Sequence, residues 1–254
     1  MNRYLKYNIS IIGKTTALIS LLFCAIGFSQ DTTMIPYCCF PPFVTEVVPP
    51  NIMILMDNSG SMADESYQVD VSEIYVGSPE DTIKWYGYFD PDTTYSYASS
   101  RFYPDPNGPW PGRILNWACM SRGDILRKAL VGGAATSQFG AGSDPIRLKS
   151  EGRGSWTVYY RNGASGYNKL YVSHSGSGLT NLTVTNSGTP PINSTLSSAQ
   201  VQVDIPRSNW IGVIQQVAGE EVSPGQWVWG ENAPRFGLFI YNLTYSGNVG
   251  GHIV

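Results

Sequence analysis

The residues Ile52-Met-Ile-Leu-Met56, led in by Asn51, form an unbroken apolar run bounded by Pro49-Pro50 on one side and Asp57-Asn58-Ser59-Gly60 on the other. A run this short and continuous, closed by turn residues at both ends, is the pattern of a strand buried on both faces of a parallel sheet; a buried helix needs more residues. It commits the chain to an α/β arrangement in which other elements cover both faces of that strand. A second run, Arg235-Phe-Gly-Leu-Phe-Ile-Tyr241, predicts a strand beside the first, and Gly251-His-Ile-Val254 reads as the start of a third.

Between these runs the pattern changes twice. From Ala63 to Trp110 no helical period is present. Aromatic residues, among them Trp85, Tyr88, Phe89, Tyr95, Phe102 and Trp110, crowd a stretch of Asp, Pro and Gly. Flexible linkers are poor in aromatics, so this reads as an ordered insertion over about 63–110. Ile114 to Val131 then takes a helical period through Ile114, Leu115, Ala118, Ile125, Leu126, Ala129 and Leu130, with Gly132-Gly133 as its stop. In its second half the helix, Ser121 to Val131, is predicted to pack on the sheet, with Asp124 early and Arg127 and Lys128 late to suit the helix dipole. Four β-branched or alternating runs follow: Trp156–Tyr160, Lys169–Val172, Leu179–Thr185 and Ala199–Ile205, separated by Asn162-Gly163, Ser175-Gly176 and Ser187-Gly188. They predict hairpins in a β-rich insertion at about 140–210.

The first 29 residues read as a secretory signal peptide: a basic start, the apolar run Ala17 to Phe28, and Gly27 and Ser29 at the cleavage positions. That run is shorter than the roughly twenty residues of a membrane span, and no later segment approaches one. Gly13-Lys14-Thr15 imitates a phosphate loop, but Asn8 stands where its first glycine belongs. Phe23 before Cys24 argues against lipoprotein processing. Residues 30–50 are a proline-punctuated extended approach to the first strand. The leader holds Arg3, Lys6 and Lys14 and no acid, so its removal takes the formal charge from −3 to −6, which excludes nucleic acid as the expected partner. Export implies an oxidising compartment for Cys38, Cys39 and Cys119. Vicinal cysteines pair only with strain, so Cys119 with Cys38 or Cys39 is one expectation, and three buried thiols the other.

The chemistry resides in the loop after the first run. Asp57, Ser59 and Ser61 place a carboxylate and two hydroxyls at i, i+2 and i+4, where they can converge on one hard cation such as Mg²⁺, which takes oxygen ligands and keeps several waters. The carboxyl end of a parallel strand is where open α/β sheets bind ligands, and Gly60 lets the backbone turn there. Taken alone such a string is a common polar turn; the apolar strand before it and Met62 after it give it meaning.

With that context, Asp57-Asn58-Ser59-Gly60-Ser61-Met62 resembles the metal-ion-dependent adhesion site that opens a von Willebrand factor A domain. A wider resemblance runs through Tyr37-Cys38, Pro41-Pro42-Phe43-Val44, Pro50-Asn51, Tyr88-Phe89-Asp90-Pro91 with Tyr95, Asn116-Trp117-Ala118, Arg122, Asp124 to Leu130, Gly132-Gly133, Gly212 to Gln216 and Arg235 to Tyr241. In that order these motifs are similar to the N-terminal half of the PilY-type type IV pilus assembly and tip-adhesin proteins.

The resemblance implies an α/β, Rossmann-like von Willebrand factor A domain, N-terminal part only, over 51–254 with the two large insertions. It implies Mg²⁺ or Mn²⁺ on Asp57, Ser59 and Ser61, and Ca²⁺ in a C-terminal propeller outside this sequence. It also implies an exported protein of the periplasm, outer surface or pilus tip, with pilin or minor pilin subunits and carboxylate-bearing surface ligands as partners. A complete adhesion site also takes a later threonine and a second aspartate. Thr189 imitates the threonine but precedes the second core strand, so a turn is expected there, and the chain is expected to be an N-terminal piece. The alternative is a scaffold that primes pilus assembly by docking minor pilins, without metal.

The remaining features read as structural. Arg122-Gly123-Asp124 spells an integrin-binding tripeptide, but in mid-helix its Arg and Asp diverge. Asp90/Asp92 and Asp105/Asn107 lack the loop of a calcium site and are expected in turns. His174 and His252 are isolated and are expected at surface or edge positions. No G-x-S-x-G, H-E-x-x-H or Cys-His signature is present, so no catalytic residue is assigned and no enzyme is expected.

Overall fold

The computed structural model describes residues 49–68, 70–136, 143–152, 154–174, 178–223, 226–243 and 249–253. The leader at 1–29, Cys38 and Cys39, and the Ser175-Gly176 turn lie outside the described residues.

The expected first strand forms as β1, Asn51–Asp57, and pairs in parallel with β14, Arg235–Leu243, in the register Ile52 to Phe236 through Asp57 to Tyr241. β15, Val249–Ile253, adds antiparallel to β14, giving the order β1-β14-β15. The strand and its partner match the expectation; the burial does not. Ile52 is 38%, Met53 61% and Leu55 59% exposed, because among the described residues β14 is the one strand beside β1 and nothing encloses its faces.

The core lies elsewhere, in the chain between β1 and β14. One five-stranded sheet has the order β10-β9-β8-β7-β2, with β2 at Glu73–Tyr75, β7 at Ser155–Asn162, β8 at Gly166–His174, β9 at Thr180–Gly188 and β10 at Ser198–Gln200. A second has the order β5-β3-β4-β11-β6, from β3 (Thr94–Ala98), β4 (Arg101–Pro104), β5 (Trp110–Pro111), β6 (Ile146–Lys149) and β11 (Gln202–Ile205). The segments read as two insertions therefore share both sheets: β2 runs parallel to β7, and β4 parallel to β11. The predicted hairpins are present, with β7 returning through Gly163 at φ +52 into β8, a left-handed conformation that glycine adopts without a Cβ penalty. The described residues are thus mixed α/β but rich in strand, and the bulk of the fold is not the expected Rossmann-like layer.

The helical stretch is two helices rather than one. α1, Gly112–Cys119, buries every residue except Arg113, and it is held by its neighbours' polar atoms as well as by packing. The Asn116 carboxamide accepts from Phe89 N–H (3.0 Å) and donates to Trp85 and Phe89 carbonyls (2.8 Å each). Trp117 Nε1–H donates to the Val71 carbonyl and Trp156 Nε1–H to that of Ala118, both at 2.8 Å. Burying side chains of the size of Ile114, Leu115 and Trp117 contributes on the order of 1.5–3 kcal/mol each.

The break at Met120–Ser121 is chemical. Ser121 caps α2, Arg122–Val131: its Oγ accepts from Asp124 N–H at 3.1 Å, while the Asp124 carboxylate accepts from Ser121 N–H at 3.2 Å. This reciprocal box starts a new helix where the apolar period alone suggests continuation. At its far end Gly132, at φ +84, closes α2 as expected, its N–H on the Lys128 carbonyl. Cys119 closes α1 as a free, fully enclosed thiol; Cys38 and Cys39, its expected partners, lie outside the described residues. Burial pushes that thiol's pKa up, which makes it an inert core side chain.

A third helix, α3 (Val213–Ala218), leads into the hairpin of β12 (Gly219–Ser223) and β13 (Gln226–Trp229), which forms a two-stranded sheet of its own. Among the described residues no helix is long and apolar enough to cross a membrane.

Candidate functional site

Asp57 ends β1, and the chain turns at once into a single 3-10 turn over Gly60–Ala63. This turn brings the three predicted oxygens together. Ser59 N–H donates to Asp57 Oδ1 at 2.7 Å, and Ser59 Oγ–H to Asp57 Oδ2 at 3.0 Å; the Oγ atoms of Ser59 and Ser61 lie 2.8 Å apart. The Ser59 N–H and hydroxyl hold the Asp57 carboxyl below its ordinary value of 3.8, so it is ionised at neutral pH. Asp57 and Ser61 are exposed and Ser59 is half-buried.

One carboxylate and two hydroxyls on an exposed loop would suit a hard cation that retains waters. Among the described residues no three His, Cys, Asp or Glu side chains gather into a metal-binding group, so no denser donor set competes with this loop. Thr189 is remote in role as in sequence: its N–H bonds the Ser165 carbonyl at 2.8 Å, at the turn of the β7–β8 hairpin.

The loop is buttressed by the start of α2. Glu65 and Ser121 form a β-bridge, Arg122 N–H donates to the Asp64 carbonyl at 3.1 Å, and Ser66 N–H to that of Met120 at 3.2 Å. A Cβ on Gly123 would stand 3.1 Å from the Met62 carbonyl, so a glycine lets helix and loop touch backbone to backbone. Arg122 Nη1 then reaches the Ser61 carbonyl at 3.4 Å, which sets a guanidinium beside the oxygen cluster. The tripeptide Arg122-Gly123-Asp124 is therefore a helix start, not the mid-helix position expected. Its Asp124 is fully buried, where Ser121, Ser150 and Glu151 donate to it. Burial pushes the Asp124 carboxyl pKa up in spite of those bonds. The structural reading of this tripeptide stands, and sequence reasoning missed Arg122 as a neighbour of Ser61; Gly123 was the available signal.

The other candidates resolve as turns and packing. Asp90 Oδ1 accepts from Asp92 N–H and Asp105 Oδ1 from Asn107 N–H, each at 2.9 Å, the bond that a carboxylate makes at a turn. His174 ends β8 with Nδ1 2.9 Å from the Gly154 carbonyl and its ring against Trp156. His252 lies on β15, and its side chain is outside the described residues. A stacked aromatic pair escaped sequence reasoning: Trp227, half-buried, and Trp229, exposed, lie two apart on one strand and so on one face, with ring centroids 5.8 Å apart and an interplanar angle of 16°.

These features define a mixed α/β, strand-rich protein whose compact core is threaded between two strands that carry an oxygen-rich loop at their carboxyl end. Residues 78–206 match the family described as PilY1 homolog, small alpha/beta domain. The match takes in just over half of the chain, which therefore belongs to this family and is a type IV pilus-related protein. It spans β3 to β11 with α1 and α2, and leaves out β1, β14 and the Asp57 loop. No curated protein and no solved structure matches the chain.

Proposed function

We propose that this is an exported protein of the type IV pilus system that acts in adhesion and in pilus assembly and extension, through a metal-dependent site on a von Willebrand A-type sheet. The observation that carries this reading is the β1–β14 pair: two parallel strands brought side by side from the two ends of the small domain, with Asp57, Ser59 and Ser61 gathered at the carboxyl end of β1. In this reading the domain matched at 78–206 is an insertion into that sheet, and the protein works at the periplasm, outer surface or pilus tip.

Asp57 supplies the negative charge of the site, and its ionised state is maintained by Ser59, which also aims the carboxylate. Ser59 and Ser61 supply neutral oxygens. Mg²⁺ or Mn²⁺, when bound, offers an open coordination position to a partner's carboxylate. With a single carboxylate in the set, the loaded site stays net positive and favours an anionic partner. The role is binding, not catalysis.

Calorimetric titration with Mg²⁺ and Mn²⁺ tests this. The wild type takes up metal, and Asp57→Ala loses it while export continues; unchanged metal affinity in that variant refutes the metal site. A second reading, a scaffold that docks minor pilins without metal, is favoured by the exposed apolar side chains of Val222, Val228 and Trp229 on the β12–β13 hairpin. Joint replacement of Asp57, Ser59 and Ser61 separates the two, because only the scaffold keeps piliation and adhesion.

A further inference from the structure

A groove of about 510 Å³ lies in the small domain, away from the Asp57 loop, between the Tyr86–Pro91 segment, Pro104 at the end of β4, and the chain that leaves β11 through Pro206 to Ile211. The buried rings of Tyr88, Phe89 and Tyr95 form its floor, while Tyr86 and Ile211, 48% and 37% exposed, stand at its sides.

Lys128 of α2 reaches into this groove. Its Nζ donates to the Asn209 carbonyl at 2.9 Å, and no carboxylate among the described residues stands within ion-pair distance of it. Of the other charges on the groove, Lys84 pairs with Asp92 at 2.7 Å and Asp204 takes both Arg101 and Arg147, while the Asp90 carboxylate holds the Asp92 N–H on Oδ1 and pairs with no cation among the described residues. Burial pushes the Lys128 ammonium pKa down.

A half-buried cation beside aromatic and aliphatic walls is complemented by a carboxylate attached to an apolar body. The volume falls within the roughly 300–1,000 Å³ of pockets that enclose small ligands. We propose that this groove binds the C-terminal carboxylate of a polypeptide ending in an aromatic or branched apolar residue, with Lys128 as its counter-charge and Tyr86 and Ile211 flanking the terminal side chain.

The test uses the acetylated tripeptide Ala-Ala-Phe as free acid and as amide, titrated into the full chain by ligand-observed NMR. The acid binds the wild type about tenfold more tightly than the amide, as a charge-assisted contact requires. Lys128→Met removes that preference and Lys128→Arg retains it, each with unchanged far-ultraviolet circular dichroism. Equal binding of acid and amide, no binding of either, or a preference that survives in Lys128→Met overturns the proposal. N-acetylphenylalanine binding as tightly as the tripeptide acid overturns the polypeptide source.

Discussion

α1 and β1 are both short and apolar, yet one disappears into the core and the other faces water. Every residue of α1 but Arg113 is buried, in one core with Trp156 and Ile74 of one five-stranded sheet and Tyr95 and Trp110 of the other. β1 has β14 beside it and leaves Met53 and Leu55 more than half exposed. An apolar element is thus not a core element by composition. It becomes one when long-range pairing delivers layers to both of its faces, and it is the small domain, not the strand that announces the fold, that receives them.

Substitution tests that contrast directly. Trp117→Ala removes a fully enclosed side chain whose Nε1–H is bonded to Val71, and costs about 3–5 kcal/mol in urea unfolding. Leu55→Ala, on β1, changes stability by no more than about 0.5 kcal/mol; a loss comparable to that of Trp117→Ala would show that β1 is covered in the intact protein and would break the comparison.

Asp124→Ala comes next, at about 1–3 kcal/mol, because it removes the carboxylate half of the α2 capping box and takes the acceptor from Ser121 N–H, Ser150 Oγ–H and Glu151 N–H. Its pH signature sharpens the point. The folded-state pKa of Asp124 lies above its unfolded value, so between the two the native state holds more protons and this group's contribution falls as pH rises. Asp124→Asn, compared with the wild type across that window in unfolding titrations, loses this component.

Smaller effects concern the exposed side. In the proposed metal site protonation of Asp57 competes with the cation, and the Ser59 bonds that lower its pKa are expected to extend Mg²⁺ affinity to lower pH than an unassisted aspartate allows. A calorimetric midpoint at or above pH 4 would contradict the Ser59 bonds. Arg122→Ala removes a cation next to Ser61 and raises Mg²⁺ affinity about two- to fivefold at low salt, a gain that fades as ionic strength rises.

Much of the site was legible because it is local. Asp57, Ser59 and Ser61 fall within five residues on one turn, so their spacing alone predicts that their oxygens converge. The strand and turn residues of β7 to β9 were legible for the same reason. The Ser121–Asp124 box was also written in the chain, but the apolar period on either side of it reads through as one helix. Lys128 carried no signal and Arg122 only that of Gly123 beside it, since what makes each notable is a neighbour some sixty to eighty residues away: Asn209 for one, Ser61 for the other.

Amino-acid order by itself determined that strands run near β1, β7 to β9 and β14, that β14 would lie beside β1, and that Asp57, Ser59 and Ser61 would gather on one turn, because these depend on hydrophobic period, turn chemistry and short spacings. Only the tertiary structure decided that Cys119 is sealed away, that β2 meets β7 and β4 meets β11, and that the apolar strand is open while the aromatic segment is buried. Those outcomes depend on which distant surfaces meet, and the free energy of burial is set by the layers that arrive rather than by the residues that wait for them.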